Sequence, residues 1–169
     1  MLRKLFTIII VLLSLSIMGN SENVFLSNFK TTHGAIPFDK ISNSDYKPAI
    51  ETGISEHNKE IENITLQNSI PTFENTIVKL ERSGKTLKRV LNVFYPMLSA
   101  NADSELMEIS NAVSPILSMH ETSIILNQKL WERIKYVYEH KNEQKMDRED
   151  STLLDETYKS FYRNGANLK

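Results

Sequence analysis

The chain has no cysteine among its 169 residues. This absence excludes disulfide bonds, cysteine nucleophiles and thiolate metal ligands, and it excludes the lipid-anchor cysteine of a bacterial lipoprotein. Glycine and proline are scarce, with five residues of each. Because a fold built from strands and tight turns uses many of both, their scarcity argues against an all-β protein.

A strong charge of either sign is also absent. Lys and Arg number 20 and Asp and Glu number 21, so the formal net charge is −1. No block of basic residues is present, and we therefore expect no binding to nucleic acid through its phosphates. With 40% hydrophobic and 24% charged residues, the composition is that of a globular domain with a sizeable core.

Residues 1–21 have the layout of a secretory signal peptide. Arg3 and Lys4 form a positive n-region, Leu5–Met18 is apolar, and residues 19–21 are small or polar. The apolar run is shorter than the roughly 20 residues of a membrane-spanning helix, which favours a cleaved signal over a permanent anchor. An uncleaved anchor and a wrongly assigned start remain the alternatives. Cleavage near Ser21 would change the net charge to 18 minus 21, or −3.

The stretch PTFENTIVKLERSG, from Pro71 to Gly84, has the signals of a complete helix. Thr72 is a good N-cap, because its hydroxyl can accept a hydrogen bond from the first turn. Gly84 can end the helix in the left-handed conformation. Apolar residues continue at helical spacing beyond it and predict a helical hairpin over residues 72–100: Phe73, Ile77, Leu80, Leu87, Leu91, Phe94 and Leu98.

The rest of the chain also reads as helices. The first is expected to be capped by Ser44 or Asp45, to tolerate Pro48 in its opening turn and to end near Gln67. A kink or an early end is expected at Pro96, and a kink is expected at Pro115. Asn101–Asp103 is expected to form a connection and a cap before the next helix, and Asn127 to open the one after it. The last helix is expected after a charged connection over 141–149 and ends at Gly165. The fold class predicted is all-α, an antiparallel multi-helix array.

Apolar residues define these helices and an extended segment before them. Over residues 22–42 no helical period persists, and Phe25, Phe29, Ile36 and Phe38 are expected to fasten this segment to the helices. The stripes of the helices are Ile50, Ile54, His57, Ile61 and Ile64; Leu106, Ile109, Val113, Ile116 and Leu117; Leu130, Trp131, Ile134, Val137 and Tyr138; and Leu153, Leu154, Tyr158 and Phe161.

Two patterns resemble chemical motifs but lack a required residue. His120-Glu121 begins like the zinc-peptidase motif with two histidines one helical turn apart, but the second position holds Ile124. His120 is therefore interpreted as an ordinary helix residue at a core edge and His57 as a satisfied core histidine. His33, His57 and His140 have no partner at ligand spacing. The run 83–86, SGKT, ends like a phosphate-binding loop, but the required upstream glycine is absent and a helix precedes it.

The remaining polar candidates are weak. Ser83 and Ser114 have no histidine nearby in sequence, although a spatial one stays possible. The cluster Arg163-Asn164-Gly165 is expected to orient a helix end, with a role in a channel wall as the alternative. Acidic residues that face away from the apolar stripes are expected to be solvated: Glu81, Asp103, Glu105, Glu108 and Glu121.

PTFENTIVKLERSG resembles the N-terminal signature of the M3 family of zinc metallopeptidases, in the branch of peptidyl-dipeptidase (dipeptidyl carboxypeptidase) and oligopeptidase A. Other segments resemble the same family in the same order, so the resemblance covers nearly everything after residue 22. These segments are NVFLSNFKTTHGAIPFDKI (23–41), DYKPAIETGI (45–54), LSAN (98–101), NAVSPILSMH (111–120) and SFYRNGANL (160–168).

The resemblance implies an exported parent enzyme, in the bacterial periplasm, that releases C-terminal dipeptides from short peptides with one zinc ion. It also implies that residues 22–169 are a truncated N-terminal helical region, which shapes the substrate channel and carries no catalytic, cofactor-binding or metal residue. We expect this chain alone to bind no catalytic zinc, no nucleic acid and, after signal cleavage, no membrane. The alternative is a stand-alone secreted helical module that binds peptides or a protein without catalysis.

Overall fold

The computed structural model describes residues 23–101 and 103–168. The predicted signal peptide lies outside these residues. The all-α prediction is confirmed, because the described part of the chain contains helices and no strand. None of its helices combines the length and the apolar character that a membrane crossing requires.

Five long helices form the body of the described chain. They are α1 (Asn43–Thr65), α3 (Lys85–Ala100), α4 (Ser104–Ile125), α5 (Gln128–Glu139) and α6 (Arg148–Arg163). Between α1 and α3 lie a π-helical turn, Phe73–Val78, and the short α2, Lys79–Glu81. Short 3₁₀ turns occupy Val24–Leu26, Thr32–Gly34, Phe38–Lys40 and Lys141–Glu143.

The N-terminal segment is fastened to α3 by one aromatic ring and one guanidinium. Phe25 is fully buried, and Arg89 donates hydrogen bonds to the Phe25 carbonyl oxygen at 2.8 Å and to Oδ1 of Asn28 at 2.7 Å. Phe29 packs at the edge of the same core. The expected anchoring by Ile36 and Phe38 is wrong, since both are exposed and the 3₁₀ turn at Phe38 directs its ring to solvent.

The cap of α1 lies earlier than predicted. Ser42, and not Ser44 or Asp45, is the N-cap, and Asp45 is its capping-box partner, accepting from the Ser42 N–H at 2.8 Å. Because the helix begins at Asn43, Pro48 lies beyond the first turn and costs the helix one backbone hydrogen bond, contrary to the expectation. The predicted caps Thr72, Asp103 and Asn127 are confirmed by their side-chain hydrogen bonds.

The other prolines do not end their helices. Helix α3 continues past Pro96 to Ala100, and α4 continues past Pro115 to Ile125. The charged connection before α6 is shorter than predicted, because Asp147 caps the helix two residues inside it through a bond from the Asp150 N–H.

Buried side chains form two cores, and the predicted hairpin is split between them. The π-helical turn at Phe73 packs with α5 and α6, whereas α3 packs on α1, so the two segments meet at Gly84 without stacking on each other. The first core comprises Phe25, Tyr46, Ala49, Ile50, Leu87, Val90, Val93, Phe94, Leu106 and Val113. The second core comprises Ile61, Ile64, Phe73, Ile77, Leu130, Trp131, Ile134, Val137, Leu154, Phe161 and Ala166.

Candidate functional site

Three polar residues from distant parts of the chain meet between α1 and α4. Nε2 of His57 lies 2.9 Å from Oγ of Ser83, and Nδ1 of His57 lies 3.0 Å from Nε2 of His120. The two imidazole rings meet edge to face, with centroids 5.0 Å apart. We call Ser83, His57 and His120 the His–His–Ser cluster.

The hydrogen bonds of this cluster assign its protons. The Ser83 hydroxyl donates to the Leu80 carbonyl oxygen at 2.6 Å, so Oγ must accept from an N–H at Nε2 of His57. Nδ1 of neutral His57 is then an acceptor, and it receives the N–H at Nε2 of His120. Nδ1 of His120 is left as a buried acceptor with no hydrogen-bond partner in the described chain.

Gly84 closes the site over the His57 ring. Its φ of 67° lies in the left-handed region, and a Cβ atom there would come within 2.9 Å of Nδ1 of His57. Its backbone N–H donates to Oε2 of Glu60 at 2.6 Å. The glycine predicted as a helix stop therefore also provides the close approach that brings Ser83 to the histidine.

Burial lowers the pKa of both imidazoles. The His57 pKa falls below its ordinary value of 6.5 because the ring is desolvated and faces His120, with Lys88 adding to the effect and Glu60 opposing it. The His120 pKa is lowered by burial and partly restored by Glu121. Both rings are therefore neutral at pH 7, in agreement with the proton positions above.

The geometry does not support nucleophilic catalysis by Ser83. Its side chain is buried, its hydroxyl proton is directed to a helix carbonyl, and the neighbouring Gly84 N–H, which could stabilise an oxyanion, is bonded to Glu60. The sequence interpretation of His57 as a satisfied histidine is confirmed. His57 has no partner at metal-ligand spacing in the sequence, but His120 and Ser83 contact it across the fold.

The other polar candidates serve helix ends or solvent. Asn164 donates from Nδ2 to the Ser160 carbonyl oxygen at 2.8 Å and Gly165 has a φ of 91°, which confirms that this cluster ends α6. Ser114 donates to the Ser110 carbonyl oxygen on its own helix. The acids expected to be solvated are exposed: Glu81, Asp103, Glu105, Glu108 and Glu121.

Arg133 is a structural residue that the sequence did not reveal. It is buried on α5, and it donates to the carbonyl oxygens of Gln67 and Ser69, both at 3.2 Å, and to Oδ1 of Asn75 at 2.8 Å. Its pKa is lowered by burial. In the sequence, the one sign of this role is an arginine among the apolar residues of a helix. That pattern is equally typical of a buried polar network and of a binding site.

Two curated proteins are similar to this chain. The dipeptidyl carboxypeptidase of Salmonella typhimurium is 33% identical over 148 residues, which cover 88% of this chain and 22% of that protein. The dipeptidyl carboxypeptidase of Escherichia coli K12 is 34% identical over 146 residues, or 86% of this chain and 21% of that protein. No family model matches the chain.

By these similarities and its helical fold, the chain is an all-α protein related to peptidases. More particularly, it is related to the bacterial dipeptidyl carboxypeptidases, as the sequence resemblance predicted. The chain spans about a fifth of the length of these relatives.

Proposed function

We propose that this chain is the N-terminal helical region of an exported M3-type zinc metallopeptidase that releases dipeptides from the C-termini of short peptides. The observation that carries the proposal is similarity over 88% of the chain to a protein named dipeptidyl carboxypeptidase. In this proposal the region forms one wall of a narrow substrate channel, which excludes folded proteins, and the reacting groups lie in the rest of the enzyme.

The use of the polar side chains supports a structural role for this region. His57, Ser83 and Arg133 bond to other parts of the same helical body, and none is left available in an open cleft. Catalytic groups need a reacting atom within reach, and buried groups that are bonded to each other do not offer one.

The described residues do not fit the zinc of such an enzyme. A catalytic zinc ion takes three protein ligands, usually histidines and a carboxylate. Across residues 23–101 and 103–168, no three His, Asp or Glu side chains are placed to hold a metal ion together. No step of the hydrolysis is therefore assigned to this chain.

The first test is the DNA sequence downstream of the codon for Lys169. We expect an open frame of several hundred codons that encodes a His-Glu-x-x-His helix. A stop codon directly after Lys169 would contradict the proposal. The chain would then be a secreted helical module that binds peptides or a protein without catalysis.

The second test is the activity of residues 22–169 produced alone, after circular dichroism has verified that they are helical. With zinc and a short peptide, we expect no dipeptide release above buffer, whereas the Escherichia coli relative serves as the positive control. Zinc-dependent release by this piece would show that the chemistry lies in this region after all.

Sequencing the mature N-terminus from the periplasm tests export, with a start near residue 22 expected.

A further inference from the structure

The His–His–Ser cluster lies on the boundary between the two cores. Each of its three residues belongs to a segment that runs from one core into the other, and each lies between a buried residue of the first core and one of the second. These flanking residues are Ile50 and Ile61 for His57, Ile77 and Leu87 for Ser83, and Val113 and Leu130 for His120.

Apolar packing holds each core together, but at this boundary the cluster supplies directional bonds between the helices. His120 is the last of three buried residues spaced seven apart on α4, after Leu106 and Val113. Its bond to His57 therefore attaches the C-terminal half of α4 to α1. The bond from His57 to Ser83 attaches the turn at Gly84 to the same place.

The cluster has no position for an additional proton. If His120 is protonated, the new N–H at its Nδ1 is buried and finds no acceptor among residues 23–101 and 103–168. If His57 is protonated, its Nδ1–H faces the Nε2–H of His120, and relieving that conflict moves a proton to the same Nδ1 of His120. Either route leaves a charged, buried pair with one unsatisfied donor, which is costly.

We propose that the His–His–Ser cluster is an acid-sensitive joint: its neutral form fastens α4 and the Gly84 turn to α1, and protonation releases them. The proposal concerns a regulatory property of the fold and does not depend on peptidase activity. The first consequence of acid is loosening of residues 116–124 and 83–88, while each core keeps its own packing.

The charged groups around the cluster set the direction of the pH effect. Glu60 on α1 and Glu121 on α4 favour the charged imidazoles, whereas Lys88 on α3 and burial disfavour them, and the net pKa of both rings is lowered. The unfolded chain therefore binds protons first as the pH falls. The stabilisation is fully present above about pH 6.5 and is lost as the pH drops through the folded-state pKa values.

The test combines histidine NMR with amide hydrogen exchange on the whole chain between pH 7.5 and 5. At pH 7.5 we expect the proton of both His57 and His120 on Nε2. On acidification we expect amide protection in residues 116–124 and 83–88 to fall by up to about tenfold per pH unit below about 6.5, for each proton taken up on opening. Amides of α6 are expected to change less.

The matched variant is His120→Gln. The glutamine amide can donate to Nδ1 of neutral His57, and after rotation its oxygen can accept from the protonated ring, so the conflict disappears. We expect the pKa of His57 to rise and the acid loss of protection to shrink. The control variants His33→Gln and His140→Gln remove the other histidines and should keep the wild-type pH dependence.

Two results would contradict the proposal that the His–His–Ser cluster is an acid-sensitive joint. One is a His120→Gln chain that loses protection with acid as the wild type does. The other is a His120 ring in the wild type that carries its proton on Nδ1 at pH 7.5. The second result is read from the wild type, so it decides the matter even if the variant fails to fold.

Discussion

Gly84 occupies a position where the backbone and a histidine ring both require a residue without a side chain. Its φ is 67°, and the place of a Cβ atom lies 2.9 Å from Nδ1 of His57. Gly34 has the same φ of 67°, but no atom of the described part of the chain lies within 4 Å of its Cβ position. Alanine substitutions at the two positions therefore distinguish the cost of the left-handed backbone from the cost of the contact with His57.

Gly84→Ala should lower the free energy of unfolding by roughly 2–4 kcal/mol, the sum of left-handed strain and steric displacement of His57. Gly34→Ala should cost about 1 kcal/mol, from strain alone. Urea denaturation followed by circular dichroism measures both. Equal losses in the two variants would show that the contact with His57 contributes nothing.

The sequence revealed least about contacts between individual residues. His57 and Ser83 are 26 residues apart, and His57 and His120 are 63 residues apart. Periodicity placed each residue on its helix, but it carries no information on which helices face each other. The same reason explains why the bonds from Arg133 to the 67–75 region could not be predicted.

At the scale of elements, local chemistry was a better guide. Thr72, Asp103 and Asn127 were recognised as caps because a cap is a bond within one turn of its own helix. The cap of α1 was placed two or three residues late, since Ser42, Ser44 and Asp45 are all good caps and only the capping box selects among them. The π-helical turn at Phe73 has no sequence signature at all.

Pro115 lies inside α4 and leaves the carbonyl oxygen of Asn111 without its helical donor. Pro115→Ala restores that bond at an exposed site, which stabilises the helix by about 3 kcal/mol. The substitution also raises the conformational entropy of the unfolded chain, which offsets about 1 kcal/mol of that gain. The free energy of unfolding should therefore rise by about 2 kcal/mol. Ser118→Ala, also exposed on α4, is the control and should change stability by about 0.5 kcal/mol or less. A destabilised Pro115→Ala chain would contradict this assignment.

For the whole molecule, helical stripes predicted an all-α body, and the structure adds that its core is divided in two. The division arises at Gly84, where the two segments of the predicted hairpin turn into different cores. Several large apolar side chains remain exposed, among them Met119 at 71% and Ile70 at 69%. This exposure fits the proposal that further protein covers part of the surface.

Produced alone, the chain is expected to self-associate through its exposed apolar side chains. Met119→Lys should lower the mass-averaged size measured by light scattering at equal concentration, because a charge on that surface opposes association. Ser118→Lys adds the same charge at the adjacent position of α4 and should have a smaller effect. A wild-type chain that is monomeric at all concentrations would refute the expectation.

The attachment of Asn23 has a consequence for the order of events during biosynthesis. Its Nδ2 donates to the Asp45 carbonyl oxygen at 2.8 Å, and its Oδ1 accepts from the Phe25 N–H, so the chain is held to α1 from Asn23 onward. In the proposed export, a signal peptidase that cuts near residue 21 needs an extended substrate on both sides of the bond. Under that proposal, cleavage precedes the docking of Asn23 onto α1.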